Sequence, residues 1–198
     1  MTEAEWLTCA DPQPMLESLR GKATDRKLRL FAVAVFRATL SLPFFASIDR
    51  TLTTLDVAER YADGLIDETE MARVYQAEVG WHGGETVSPI AWEAAADATD
   101  FAFWRNEAEL EVVAQCHFFR DVFGNPFRPV TLDPAWQTTN VLALAQAIYD
   151  DRAFDRMPIL ADALEDAGCD NADILNHCRQ PGEHVRGCWV VDLVLGKE

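Results

Sequence analysis

Residues 25–42, DRKLRLFAVAVFRATLSL, decide the fold. Apolar side chains recur there every three to four positions, with Leu28, Phe31, Val35 and Phe36 on one side. That is the period of a helix, not the alternation of a strand. Pro43 follows at once and cannot prolong a helix, because it has no amide donor and its ring clashes with the preceding turn. The apolar run continues over 30–48, 19 residues with Arg37 as the single charge, which is long enough to span a bilayer. Arg37 lies well inside that run and would cost about 2.5–3.5 kcal/mol near the bilayer centre. Thr39, Ser41, Ser47 and Pro43 weaken the run further, so the segment reads as a helix buried in a protein core.

Working outward, the same punctuation repeats. Asp11-Pro12 pairs an N-cap with proline at the first helical position and opens a short helix ended by Gly21. Residues 49–63 carry Leu52, Leu55, Val57, Ala58 and Tyr61 as a stripe closed by Gly64. Asp67 with Glu70 reads as a capping box for a helix to about Val79. Ser88-Pro89 opens an alanine-rich helix over 90–98. The longest helix is expected over 100–123, with Phe103, Leu110, Val113, Ala114, His117 and Phe118 near one face and Gly124-Asn125 at its end. Further helices are expected over 139–151, 158–167, 171–178 and 185–195. Val190, Val191 and Val194 leave a terminal strand as the alternative for the last of them. Between these, residues 124–137 lack a helical period, hold three prolines, and offer Phe127, Val130, Leu132 and Trp136 as anchors. An ordered, packed loop is expected there. The whole reads as an all-α fold, a compact bundle of about ten short helices in a single domain, 1–198. The glycine-rich GWHGGE at 80–85 marks a subdivision into 1–82 and 85–198.

The chain carries 17 basic and 33 acidic residues, a net charge of −16. Such a surface repels phosphate backbones and anionic headgroups, so nucleic-acid and membrane partners are not expected. The five cysteines are odd in number. Residues 1–14 have neither the basic nor the apolar region of a secretory leader. Free thiols in a reducing cytoplasm are the expectation.

FGNPFRPVTLDPAW (123–136), PILADALEDAGCDNADILNHCR (158–179) and PGEHVRGCWVVDLVLGK (181–197) resemble an uncharacterised protein family of planctomycete bacteria. MTEAEW (1–6), GKATDRKLRLFA (21–32) and VAERYADGL (57–65) are similar too, so the resembling stretches take in 80 of the 198 residues and reach from one end of the chain to the other. It implies a bacterial source and a shared fold, and no activity. The family's segment after LRLFA is rich in cysteine and arginine. Here residues 33–39 read VAVFRAT, which removes any thiol role at those positions.

Five of the nine Cys and His residues fall within 169–188: Cys169, His177, Cys178, His184 and Cys188. Cys169, Cys178, His184 and Cys188 have the ligand types of a small zinc finger with the last two exchanged, and zinc takes four such donors in a tetrahedron. A helix over 171–178 would separate Cys169 from Cys178 by roughly 12 Å along its axis. A smaller site escapes that objection: His184 and Cys188 with either Cys178 or, as substitute ligand, His177. Buried thiols and hydrogen-bonded imidazoles are the alternative. The basic run Arg20, Lys22, Arg26, Lys27 and Arg29 makes Arg26, Lys27 and Arg29 a candidate anion site, against a solvated turn paired with carboxylates. His82, in the glycine-rich segment, is a candidate acid/base of a loop but lacks a nucleophile, a second carboxylate at a telling distance or a metal partner, and a glycine hinge is the preferred reading. No Walker loop, dinucleotide fingerprint, HExxH or GxSxG occurs. The expected function is therefore a non-catalytic module binding a protein partner through Phe127, Trp136 and Trp189. The alternative is a zinc-stabilised module or an enzyme built on the Cys/His cluster.

Overall fold

The structure, a computed structural model, describes residues 1–40, 49–74, 91–103 and 108–197. In chain order the helices are α1 (Glu3–Thr8), α2 (Pro12–Ser18), α3 (Asp25–Leu40), α4 (Asp49–Ala62), α5 (68–74), α6 (Ala91–Phe103), α7 (Ala108–Phe123), α8 (Thr139–Asp151), α9 (Met157–Asp166), α10 (Ala172–Arg179) and α11 (Trp189–Leu195). Single 3₁₀ turns occur at Pro134–Trp136 and Phe154–Arg156. There is no strand among the described residues, so the fold is all-α, and the valines of 190–194 are helical.

Caps explain most of the boundaries. Asp11 accepts from the Gln13 amide ahead of Pro12. Asp67 Oδ1 accepts from the Glu70 amide at 2.9 Å, although the Glu70 carboxylate turns to Arg73 rather than back to the cap. Asn171 accepts from the amides of Asp173 and Ile174 at 3.0 and 3.2 Å. Three expectations need correction. α1 was not foreseen, although Thr2 and Glu5 form a complete capping box and the helix delivers Trp6, fully buried, to the core. α6 runs on through Asp100 to Phe103, so no helix boundary falls near Thr99. The last helix starts at Trp189, not Val185, because Gly187 turns the chain ahead of Cys188, its N-cap. The glycine-rich segment 80–85, His82 included, and Pro43 lie outside the described residues.

α3 is the centre of packing. It lies against α4, α6 and α7, and Phe31 stacks on Phe119 of α7 with ring centroids 3.9 Å apart. Around them Trp6, Met15, Leu16, Leu55, Met71 and Val122 belong to a first core drawn from α1–α7. Burying each such large side chain contributes about 1.5–3 kcal/mol. A second core gathers α8–α11 through Val141, Ile148, Met157, Leu160, Leu164, Ile174, Val190 and Val194. The two cores part after α7, not at 82–85: α6 and α7, assigned by sequence to the second half, belong to the first core. In the proline loop, Val130, Leu132 and Trp136 pack on the second core, whereas Phe127 stays 39% exposed. Among the described residues no helix is long and apolar enough to cross a membrane.

The seam between the cores is polar. Tyr149 of α8 donates its hydroxyl to Asp63, at 2.6 and 2.8 Å from the two carboxylate oxygens. Arg26 and Arg186 donate to the same carboxylate at 3.2 and 2.8 Å. Arg186 also lies over the Tyr149 ring, 4.4 Å from its centroid. Burial acts to raise the Asp63 carboxyl, but the Tyr149 hydrogen bond and the nearby cations outweigh it and hold it below its ordinary value. Burial and the Asp63 hydrogen bond push the Tyr149 hydroxyl up to about 12.

Candidate metal centre

Three segments converge on one point of that seam. Asp121 stands on the last full turn of α7 and is fully buried. His177 comes from the C-terminal half of α10. His184 and Cys188 come from the loop that joins α10 to α11. Two glycines let this loop reach its place. At Gly182, φ is +143° and a Cβ would lie 2.7 Å from the His117 ring. At Gly187, φ is +95° and a Cβ would lie 2.9 Å from Leu30. Side chains rarely adopt such backbone angles and have no room here. His117 Nε2 meets the Glu183 carbonyl at 2.7 Å, and Asp121 Oδ2 accepts from the Val185 amide at 2.8 Å. The loop is thus held at both sides of His184.

The four donor groups face one another. Asp121 Oδ1 lies 2.6 Å from His184 Nδ1 and 3.1 Å from His177 Nε2. Cys188 Sγ lies 3.2 Å from His177 Nε2 and 3.9 Å from His184 Nδ1. All four ligand atoms fall within 4.8 Å of one another. Zinc bonds of about 2.0–2.1 Å to nitrogen and oxygen and 2.3 Å to sulfur place tetrahedral neighbours about 3.3–3.6 Å apart. The observed separations bracket that range, so small side-chain shifts would open the centre to an ion.

The electrostatics are those of a carboxylate kept in the interior by its partners. Burial acts to raise the Asp121 carboxyl, but hydrogen bonds from His177 and His184, and their charge, reverse this and hold it at about 2. Burial lowers the His177 imidazole, against the pull of Asp121. Burial drives the Cys188 thiol well above its ordinary range, and the Asp121 charge adds to the effect. Gln180 Nε2 donates to His177 Nδ1 at 3.1 Å, which leaves the ring proton on Nε2, facing Asp121 and Cys188. Trp189 closes one side, 5.1 Å from the His177 ring centroid to centroid.

Compared with known proteins, the chain matches no family model, no curated protein and no solved structure.

Of the candidate ligands named from sequence, the structure brings together His177, His184 and Cys188. Cys169 and Cys178 are buried in the second core and take no part in the cluster. α10 forms, and it separates Cys169 from the later ligands. Burial pushes the Cys178 thiol up to about 12. Asp121 was missed. Its signal was a lone acid three residues after Phe118, on the apolar side of a helix, where a carboxylate must be paired to be tolerated.

The other candidates stand apart. Arg26 chelates Asp192 at 2.7 and 3.1 Å and donates to Tyr149 and Asp63. Lys27 pairs with Asp192 at 2.6 Å and donates to the carbonyls of Val122 and Gly187. Arg29 is buried, its guanidinium 4.7 Å over the Tyr61 ring. The first two charges are thus engaged inside the bundle. Phe127 is exposed, Trp136 is half-buried on the second core, and the half-buried Trp189 lies between Gly124 and His177.

Proposed function

We propose that this protein is a helical module closed by one divalent metal ion, zinc by preference, held by Asp121, His177, His184 and Cys188. The observation that carries the reading is the convergence of four ligand atoms from three segments within 4.8 Å. Charge supports it. A carboxylate and a thiolate supply two negative charges and two neutral imidazoles none, so a dication leaves the buried centre neutral and removes the cost of an isolated interior charge. A dication also deprotonates a coordinating thiol outright, overriding the burial that keeps Cys188 protonated. Two nitrogens, one oxygen and one sulfur suit zinc among the common ions.

Four protein ligands, three of them fully or almost fully buried, leave no coordination position for a substrate. The centre is thus read as structural, of the kind that contributes folding free energy. Its ligands come from α7 on the first core and from the α10–α11 region on the second, so the ion would fasten one core to the other. Ligation through Nε2 moves the His177 proton to Nδ1, where the Gln180 side chain, turned over, accepts it through its oxygen. The interaction-module reading is retained beside this one on a single observation, the exposed Phe127 ring held out on a proline-stiffened loop. The resemblance to the planctomycete family adds a proposed lineage and no activity.

Cobalt substitution tests the reading. One equivalent of Co²⁺ added to chelator-treated protein should give a thiolate-to-cobalt charge-transfer band and intense tetrahedral d–d bands. Cys188→Ser should abolish the first and keep weakened d–d bands. Octahedral spectra, or a charge-transfer band that survives Cys188→Ser, would refute this assignment of the ligands.

A further inference from the structure

The seam holds a second feature that the metal reading does not use. A cleft of about 730 Å³ opens between α1, the end of α7, the proline loop, α10 and α11, within the size range of small-ligand sites. The chain carries −16 overall, yet the cleft walls carry the opposite sign. Lys22, Lys27, Arg120, Arg128 and Lys197 line it, against Asp173 and Asp192.

The distribution of these charges matters more than their number. Lys27 and Asp192 neutralise each other at 2.6 Å. Arg128 is shared between Glu3 at 2.8 Å and Asp173 at 3.5 Å, both at the exposed rim. Arg120 has no carboxylate among the described residues. Its guanidinium donates only to the carbonyls of Trp6, Cys9 and Cys116, so its hydrogen bonds are satisfied while its charge is not. Lys22 likewise has no carboxylate partner among the described residues, and Lys197 rests over the Tyr149 ring, 4.5 Å from its centroid. Lys197 also acts on the Asp63 carboxylate, so Lys22 and Arg120 are the cations that face the cleft without a dedicated counter-ion. Trp189 and the half-exposed Leu7 supply apolar wall beside them.

We propose that this cleft binds a small organic anion, a carboxylate, sulfonate or phosphate ester carried on an apolar or aromatic body. The anionic group faces Lys22 and Arg120, and the body lies on Trp189. Cations in a partly desolvated recess attract an anion more strongly than the same cations on an open surface, and the negative remainder of the molecule sharpens the contrast. The site does not rest on the metal centre, with which it shares His177, Gln180 and Trp189 as walls.

Fluorescence titration with anilinonaphthalene sulfonate, and with its uncharged parent phenylnaphthylamine, tests this. At a salt concentration of about 0.1 M, where screening is moderate, the sulfonate should bind one site per chain at least tenfold more tightly than the neutral compound. Lys22→Glu should weaken sulfonate binding about tenfold and leave the neutral compound within twofold. Arg73→Glu, at an exposed position of α5 away from the cleft, changes the charge of the molecule by the same amount and should change neither by more than twofold. Should Lys22→Glu lose its helical dichroism, the milder Lys22→Gln in the same exposed turn should weaken the sulfonate about threefold. Equal affinity for the two compounds, or the same weakening by Arg73→Glu, would overturn the proposal. None of these variants touches a metal ligand, so a failed metal test and a failed cleft test remain separate results.

Discussion

Asp121→Ala is expected to lower stability by about 3–5 kcal/mol, because it strips the shared partner from two buried imidazoles and from the Val185 amide. For a chain of this size that is a fall in melting temperature of roughly 6–20 °C. The loss should appear in chelator-treated protein, where Asp121 is the hydrogen-bond acceptor of the cluster. It should be larger in metal-loaded protein, where a ligand is also removed. Chelator should lower the melting temperature of the unaltered protein and leave that of Asp121→Ala almost where it was. Paired thermal melts with and without chelator read both effects. Equal chelator responses in the two proteins would show that Asp121 plays no part in binding metal.

The second large effect is expected at Asp63. Its carboxylate is the common acceptor for Tyr149, Arg26 and Arg186, and its side chain is only 3% exposed. Asp63→Ala would leave two cations and a hydroxyl facing an empty place at the seam, at a cost of about 3–5 kcal/mol. Tyr149→Phe removes the hydrogen bond to the Asp63 carboxylate, which should cost about 1.5–3 kcal/mol, together with the one Arg26 donates to the hydroxyl. The sign of the pH dependence follows from the lowered Asp63 carboxyl. The stabilisation is present above the ordinary carboxyl value of 3.8 and is lost as pH falls through the lower folded-state value. Asp63→Asn should therefore flatten the acid limb of the stability profile, as urea melts at a series of acidic pH values would show. An unchanged acid limb would mean that Asp63 is not the group that titrates there.

The helical architecture was legible because it is written locally. The spacing of Leu28, Phe31 and Val35, the Asp11-Pro12 and Asn171 starts, and the glycines at helix ends each act within a few residues. The cluster was legible in part for the same reason: His177, His184 and Cys188 lie within a dozen positions. Asp121 was not, because it reaches the site through packing of α7 between the two cores, more than fifty residues away in sequence. Spacing alone also favoured Cys169 and Cys178, whose thiols the second core absorbs as apolar groups. The place where the cores divide escaped for a related reason. Glycines at 80–85 suggest a hinge when read as sequence, whereas the division follows from which core α6 and α7 are buried in. The basic run shows the same limit. Its composition reads as a surface patch, but the partners of Arg26 and Lys27 lie on α11.

Elemental analysis of the purified protein, expressed with zinc in the medium and isolated without chelator, tests the central claim most directly. About one zinc per chain is expected in the unaltered protein and in Cys169→Ala, against less than about a tenth of an equivalent when Asp121→Ala and Cys188→Ser are combined. Metal-free unaltered protein that still melts as before, or zinc lost with Cys169 and kept without Asp121 and Cys188, would contradict the account.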